Sequence, residues 1–133
     1  MKKLRGYIFA RPFMGERAPQ HVQNIILRDY CQKRGYELLL SATEYAIPDS
    51  YMILESVLDD LANIDGIVFY SLYQLPLQPE KRKLIYSRVL GAQKSLHFAV
   101  EGMSISNSNE IESVENCLLV KATLDHCTPE VEI

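Results

Sequence analysis

Two arginines, Arg11 and Arg17, flank a glycine-containing loop that leads into a helix opened by Pro19. Positive charge beside the free N–H groups of a helix start suits a phosphate or a carboxylate. A phosphorylated sugar or a nucleotide sugar fits that chemistry. The alternative is an ordinary salt bridge from Arg11 to Glu44 or Glu101, with Arg17 solvated. Glu44 and Glu101 follow the apolar runs 36–42 and 95–100, so both belong to the rim where a third run ends in Tyr70, Ser71, Tyr73 and Gln74. A carboxylate near an arginine acts as a base or orients a hydroxyl, which makes Glu44 and Glu101 the catalytic candidates; a structural ion pair is the other reading. Tyr70, Ser71, Tyr73 and Gln74 offer neutral hydrogen-bonding groups and aromatic faces suited to a sugar ring. Tyrosine at a strand end is also a good amphipathic filler.

The remaining reactive side chains point to less. His21 falls in the first turn of the same helix, where surface exposure is the usual state. His97 alternates within a strand and reads as a half-buried, hydrogen-bonded residue. Asp125, His126 and Cys127 are adjacent, so their side chains diverge, and no metal site is expected. Cys31 and Cys117 fall in helices as small core fillers. Three cysteines without a Cys-x-x-Cys pair indicate reduced thiols and a cytoplasmic setting. Neither a Gly-x-Gly-x-x-Gly nor a P-loop pattern is present, so no cofactor is expected.

The elements that position these groups follow from hydrophobic spacing. The run Asp65-Gly66-Ile67-Val68-Phe69 has a turn signal and no polar alternation, as in a strand covered on both faces. Strands are also expected over 4–10, 36–42 and 95–100. Helices are read from the stripes Val22/Ile25/Ile26/Tyr30, ended by Gly35; Tyr51/Leu54/Leu58/Leu61, capped by Asp49 or Ser50; Leu84/Ile85/Val89/Ala92, with Lys81, Arg82 and Lys83 solvent-facing; and Ile111/Val114/Leu118/Ala122. Asn109-x-x-Glu112 has the form of a capping box, and 101–107 reads as a polar loop. The order β-α-β-α-β-α-β-α predicts an α/β fold: a small, doubly wound, mostly parallel four-stranded sheet with helices on both faces. In such sheets, sites form beyond the carboxyl ends of the strands.

With 133 residues, 47% hydrophobic and 23% charged, the chain suits one globular domain over 1–133. A net charge of -3 argues against a strongly basic nucleic-acid face, and no nucleic-acid partner is expected. No apolar run reaches the roughly 18–20 residues that span a bilayer, so no membrane insertion is expected. Arg5, Arg11 and Arg17 interrupt what would be a signal peptide. Adjacent Leu118, Leu119 and Val120 suggest burial of the last helix on more than one side, either in the core or in a homo-oligomer through that C-terminal helix.

Several of these words resemble a known fold family. Tyr7-Ile8-Phe9-Ala10-Arg11, a glutamine-containing helix, Tyr30-Cys31-Gln32-Lys33-Arg34-Gly35-Tyr36-Glu37, Leu58-Asp59-Asp60-Leu61, Asp65-Gly66-Ile67-Val68 and Leu96-His97-Phe98-Ala99-Val100-Glu101 look like the catalytic domain of serine recombinases. The resemblance implies a resolvase catalytic-domain-like fold. That family carries Arg-x-Ser at the end of strand one, where this chain has Arg11-Pro12-Phe13, and a phenylalanine has no oxygen to attack a phosphate. Its Leu-Asp-Arg-Leu after the third strand is here Leu72-Tyr73-Gln74-Leu75, an amide in place of the arginine, and no helix-turn-helix follows the last helix. The resemblance thus implies the fold without recombinase activity. Arg11-Pro12-Phe13-Met14-Gly15-Glu16-Arg17, Pro19-Gln20-His21-Val22-Gln23-Asn24 and Leu40-Ser41-Ala42-Thr43-Glu44-Tyr45 further resemble stand-alone proteins of sporadic bacterial surface-carbohydrate gene clusters. That likeness implies an accessory role in lipopolysaccharide or capsule synthesis; the alternative, from the residues themselves, is a small sugar-modifying enzyme using Arg11 and Arg17 for phosphate and Glu44 or Glu101 as base. The likeness transfers no catalytic residue.

Overall fold

Four consecutive residues, Gly66–Phe69, are buried on both faces, and the rest of the sheet is built around them. A computed structural model of the chain describes residues 2–10, 18–47 and 50–120. The strands are β1 (Lys3–Phe9), β2 (Glu37–Glu44), β3 (Gly66–Phe69), β4 (Ser95–Phe98) and β5 (Met103–Ile105). The helices are α1 (Gln20–Arg34), α2 (Met52–Asp59), α3 (Pro79–Gly91) and α4, helical over the described residues 111–120. The sheet order is β2-β1-β3-β4-β5. β1–β2, β1–β3 and β3–β4 pair in parallel, and β4–β5 pair antiparallel.

The chain moves one way along the sheet from β1 to β2 and the other way from β2 to β3 to β4. Right-handed crossovers therefore put α1 on one face and α2 and α3 on the other. The packing agrees. Leu27, Tyr30 and Cys31 of α1 meet Leu4, Ile8 and Val68, while α2 and α3 cover Tyr7, Phe9, Ile67 and Phe69.

The expectation of four strands and a polar loop at 101–107 is corrected by β5. A turn closes at Ala99–Gly102, Phe98 pairs with Met103, and Ile105 is fully buried. Gly102 sits at φ 66°, a left-handed conformation that glycine reaches at little cost. A three-residue strand among serines, asparagines and glutamates carries too little alternation to be seen in sequence.

Two helical faces and one cap are also corrected. The buried face of α1 is Gln23, Leu27, Tyr30 and Cys31, and Ile25 is exposed. On α3 it is Arg82, Ile85, Tyr86 and Val89, so Arg82 is not solvent-facing, and Leu84 is 65% exposed. Before α4 the cap is Asn107, whose side chain accepts from the N–H of Asn109; there is no Asn109–Glu112 box.

The β1–β2 ladder slips between Arg5 and Tyr7, opposite Leu39 and Ala42, giving β2 one extra residue. Ser41 turns over Gly6 and donates to Asn24 Oδ1 of α1 at 2.6 Å. A Cβ on residue 6 would collide with that hydroxyl and push it off Asn24. Leu40 is left 86% exposed at the sheet edge, and its carbonyl accepts from Arg5 at 2.7 Å.

Candidate functional site

β1 and β3 are neighbours whose connections leave in opposite directions. Their carboxyl ends flank the topological switch point, where an open α/β sheet forms its crevice. From β1 the crevice receives Phe9 and Ala10. From the chain after β3 it receives Tyr70, Ser71 and a single 3-10 turn, Leu72–Gln74.

Gln23 organises this point. Its Oε1 accepts from the N–H of Phe9 (3.0 Å) and from Gln74 Nε2 (3.0 Å); its Nε2 donates to the carbonyls of Phe9 (2.9 Å) and Ala18 (2.8 Å). The amide acts as a strand partner for the last residue of β1 and ties in the start of α1 and the turn after β3. Gln23 and Gln74 are both fully buried. Ser71 and Gln74 cap the turn reciprocally: Ser71 Oγ accepts from Tyr73 N–H (3.2 Å) and Gln74 Oε1 from Ser71 N–H (3.3 Å). Glu101, in the turn after β4, accepts from Ser71 Oγ (2.8 Å) and the Leu72 N–H (2.9 Å). Ser71, Gln74 and Glu101 thus meet in one network, with Tyr70 and Tyr73 half-buried beside it.

Glu44 belongs to a separate network. Its carboxylate is 1% exposed. It accepts from Tyr7 Oη (2.8 Å), Tyr45 N–H (3.1 Å), Ser50 Oγ (3.3 Å), Ile53 N–H (3.1 Å) and Leu54 N–H (3.2 Å). The N-cap of α2 is Tyr51, not Ser50, and its side chain caps nothing. The orphan N–H groups of the first turn are met instead by a carboxylate from the end of β2, which the helix dipole also favours. Asp49, the other expected cap, lies outside the described residues.

So do Arg11, Arg17, Phe13 and the 125–127 triplet, and with them the expected pairing of Arg11 with either glutamate. His21 is exposed in the first turn of α1. Gln23 was not singled out from sequence, although its 23/27/30 spacing puts it on the buried stripe. A glutamine in an apolar slot is the signal for an amide bound to backbone.

A second buried polar cluster lies on the α1 face of β4. His97 is 3% exposed, deeper than the half-burial expected. Its Nδ1 lies 2.8 Å from Tyr30 Oη and its Nε2 2.8 Å from Ser95 Oγ. Burial, with Lys2 and Arg34 adding repulsion, pushes its pKa down to about 4. Burial pushes Tyr30 up to about 12 and Cys31 up to about 11. On the opposite face, Arg82 forks onto both oxygens of Glu115 at 2.9 Å each and donates to the carbonyls of Pro76 and Leu77. Tyr86 donates to the same carboxylate at 2.6 Å. The Arg82 hydrogen bonds hold Glu115 below the usual carboxylate range.

Among the described residues, no helix is long and apolar enough to cross a membrane. No protein-family model matches the chain, and no curated protein is significantly similar to it. Several solved structures share its fold. The N-terminal catalytic domain of TP901-1 integrase superposes with a TM-score of 0.68 at 15% identity, over 99% of this chain and 100% of that one. A resolvase family site-specific recombinase from Streptococcus pneumoniae gives 0.64 at 9% identity, over 98% and 99%. At such identities the likeness is one of architecture: this chain has the fold of a resolvase-type catalytic domain.

Proposed function

We propose that this protein is a resolvase-fold binding protein that does not cleave DNA, and that it takes a phosphorylated sugar or nucleotide sugar at the β1/β3 crevice. The reading places it as an accessory factor of surface-polysaccharide synthesis. The observation that carries it is the commitment of the rim chemistry to holding the fold. The amide of Gln74 is buried against Gln23, and the carboxylate of Glu44 is saturated by five donors. In sequence, Phe13 occupies the place of a nucleophile. Tyr70 and Tyr73, half-buried beside Ser71 and Glu101, offer aromatic faces to a sugar ring, and in sequence Arg11 and Arg17 offer charge to a phosphate. The commitment of Glu44 argues against its use as a base in a sugar-modifying enzyme. Self-association through α4 belongs to the same reading, on the support of Leu119 and Val120, 65% and 57% exposed.

A thermal-shift screen against nucleotide sugars and sugar phosphates tests it. A stabilising ligand whose effect disappears in Arg11→Ala supports the reading. No shift with any sugar phosphate, together with a salt-sensitive gel shift on duplex DNA, would replace it with a DNA-associated role.

A further inference from the structure

α2 and α3 lie side by side on one face of the sheet. Each follows a parallel strand, so the two run in the same direction. Their sides do not close: a groove of about 380 Å³ remains between them, lined by Tyr51, Met52, Leu54, Leu58, Leu84 and Ile85 among others. Met52 stands on the α2 side at 66% exposure and Leu84 on the α3 side at 65%. Leu77, beside Pro76 at the start of α3, is 76% exposed. Large apolar residues grouped on two adjacent helices mark a docking surface.

The charges select the occupant. The ionised residues of α2 are Glu55 and Asp59, both acidic; those of α3 beside the groove are Lys81 and Arg88, both basic. Arg88 spans the groove to Glu55 (3.2 Å) and Asp59 (2.7 Å), which sets the two helices in register. We propose that this face binds a second copy of the same chain, about a two-fold axis running along the helices. That axis lays α3 of each copy over α2 of its partner with directions and heights preserved. Arg88 of one copy then lies over Asp59 of the other, the leucine and methionine flanks close over each groove, and the four central charges alternate in sign. A two-fold axis across the helices would set acid on acid and base on base. A surface whose two halves carry opposite charge and equal apolarity is complementary to itself in the first arrangement only. This interface is independent of α4, and of any ligand at the crevice.

Light scattering on the full chain tests it, starting from Leu119→Glu, which removes self-association through α4. Leu119→Glu should remain dimeric at about 100 μM protein. Leu84→Glu added to it should weaken the dimer by at least about tenfold, with an unchanged circular dichroism spectrum. Carbodiimide cross-linking of a mixed ¹⁴N/¹⁵N sample should join Lys81 of one isotope to Glu55 of the other. A monomeric Leu119→Glu protein, a dimer indifferent to Leu84→Glu, or cross-links confined to single chains would each overturn it. All of these can occur while the crevice still binds its ligand.

Discussion

Lowering the pH from 7 should destabilise this fold through one side chain. His97 is held neutral by burial, between the hydroxyls of Tyr30 and Ser95 and under the positive charge of Arg34 and Lys2. Its pKa falls from 6.5 to about 4. The unfolded chain therefore binds a proton first, and stability present above the unfolded value is lost as pH drops toward the folded one. Linkage gives a loss of about 1.2 kcal/mol between pH 7 and 5.5, and about 2.4 kcal/mol by pH 4.5. Urea unfolding at these three pH values measures it. His97→Gln keeps an amide able to donate to one hydroxyl and accept from the other, but removes the titration. The variant starts less stable at pH 7, and its disadvantage should shrink by about 2 kcal/mol by pH 4.5. Equal pH slopes for the two proteins, or an NMR titration of His97 centred near 6.5, would refute the argument.

Three further outcomes are expected. Glu44→Gln replaces an acceptor of five hydrogen bonds by a group that turns an NH₂ toward donors; it should cost about 2–3 kcal/mol in urea unfolding, with a loss under 0.5 counting against the capping role. Gln23→Ala leaves the Phe9 backbone groups and the Gln74 amide without their partner and should cost about 3 kcal/mol; hydrogen exchange at Phe9 should accelerate in step. Glu115 is held below 4.5 by Arg82, so its contribution is present above that pH and is lost as pH falls through the folded value. Glu115→Gln should cost about 1.5–3 kcal/mol at pH 7 and progressively less below pH 4, read as converging denaturation midpoints.

What sequence could and could not reveal follows from the range of the forces involved. The run 65–69 is legible as a doubly covered strand because burial on both faces acts on each residue in turn. Gly35 is legible as a helix end because the left-handed cap, at φ 72°, is a property of one residue. Arg82 misleads, since three consecutive cations read as a solvated face; its partner Glu115 lies 33 positions away. Gln23 misleads in the opposite sense, being polar in an apolar slot because backbone at the end of β1 needs a partner. At the rim, the spacing brings Ser71, Gln74 and Glu101 to one place. It could not show that Glu44 would be drawn into capping α2, because that depends on where the helix begins in space.

The bulge at Leu40 bears on how the molecule keeps to itself in a crowded solution. β2 is the outermost strand on its side, and Leu38-Leu39-Leu40 is the kind of segment that recruits copies of itself into stacked fibrils. The irregularity breaks the even spacing of amide groups that an incoming strand would need, and the Arg5 guanidinium already occupies the carbonyl at the break. A greasy border is thereby made a poor template, and straightening it by deleting Leu40 should raise aggregation, read by light scattering.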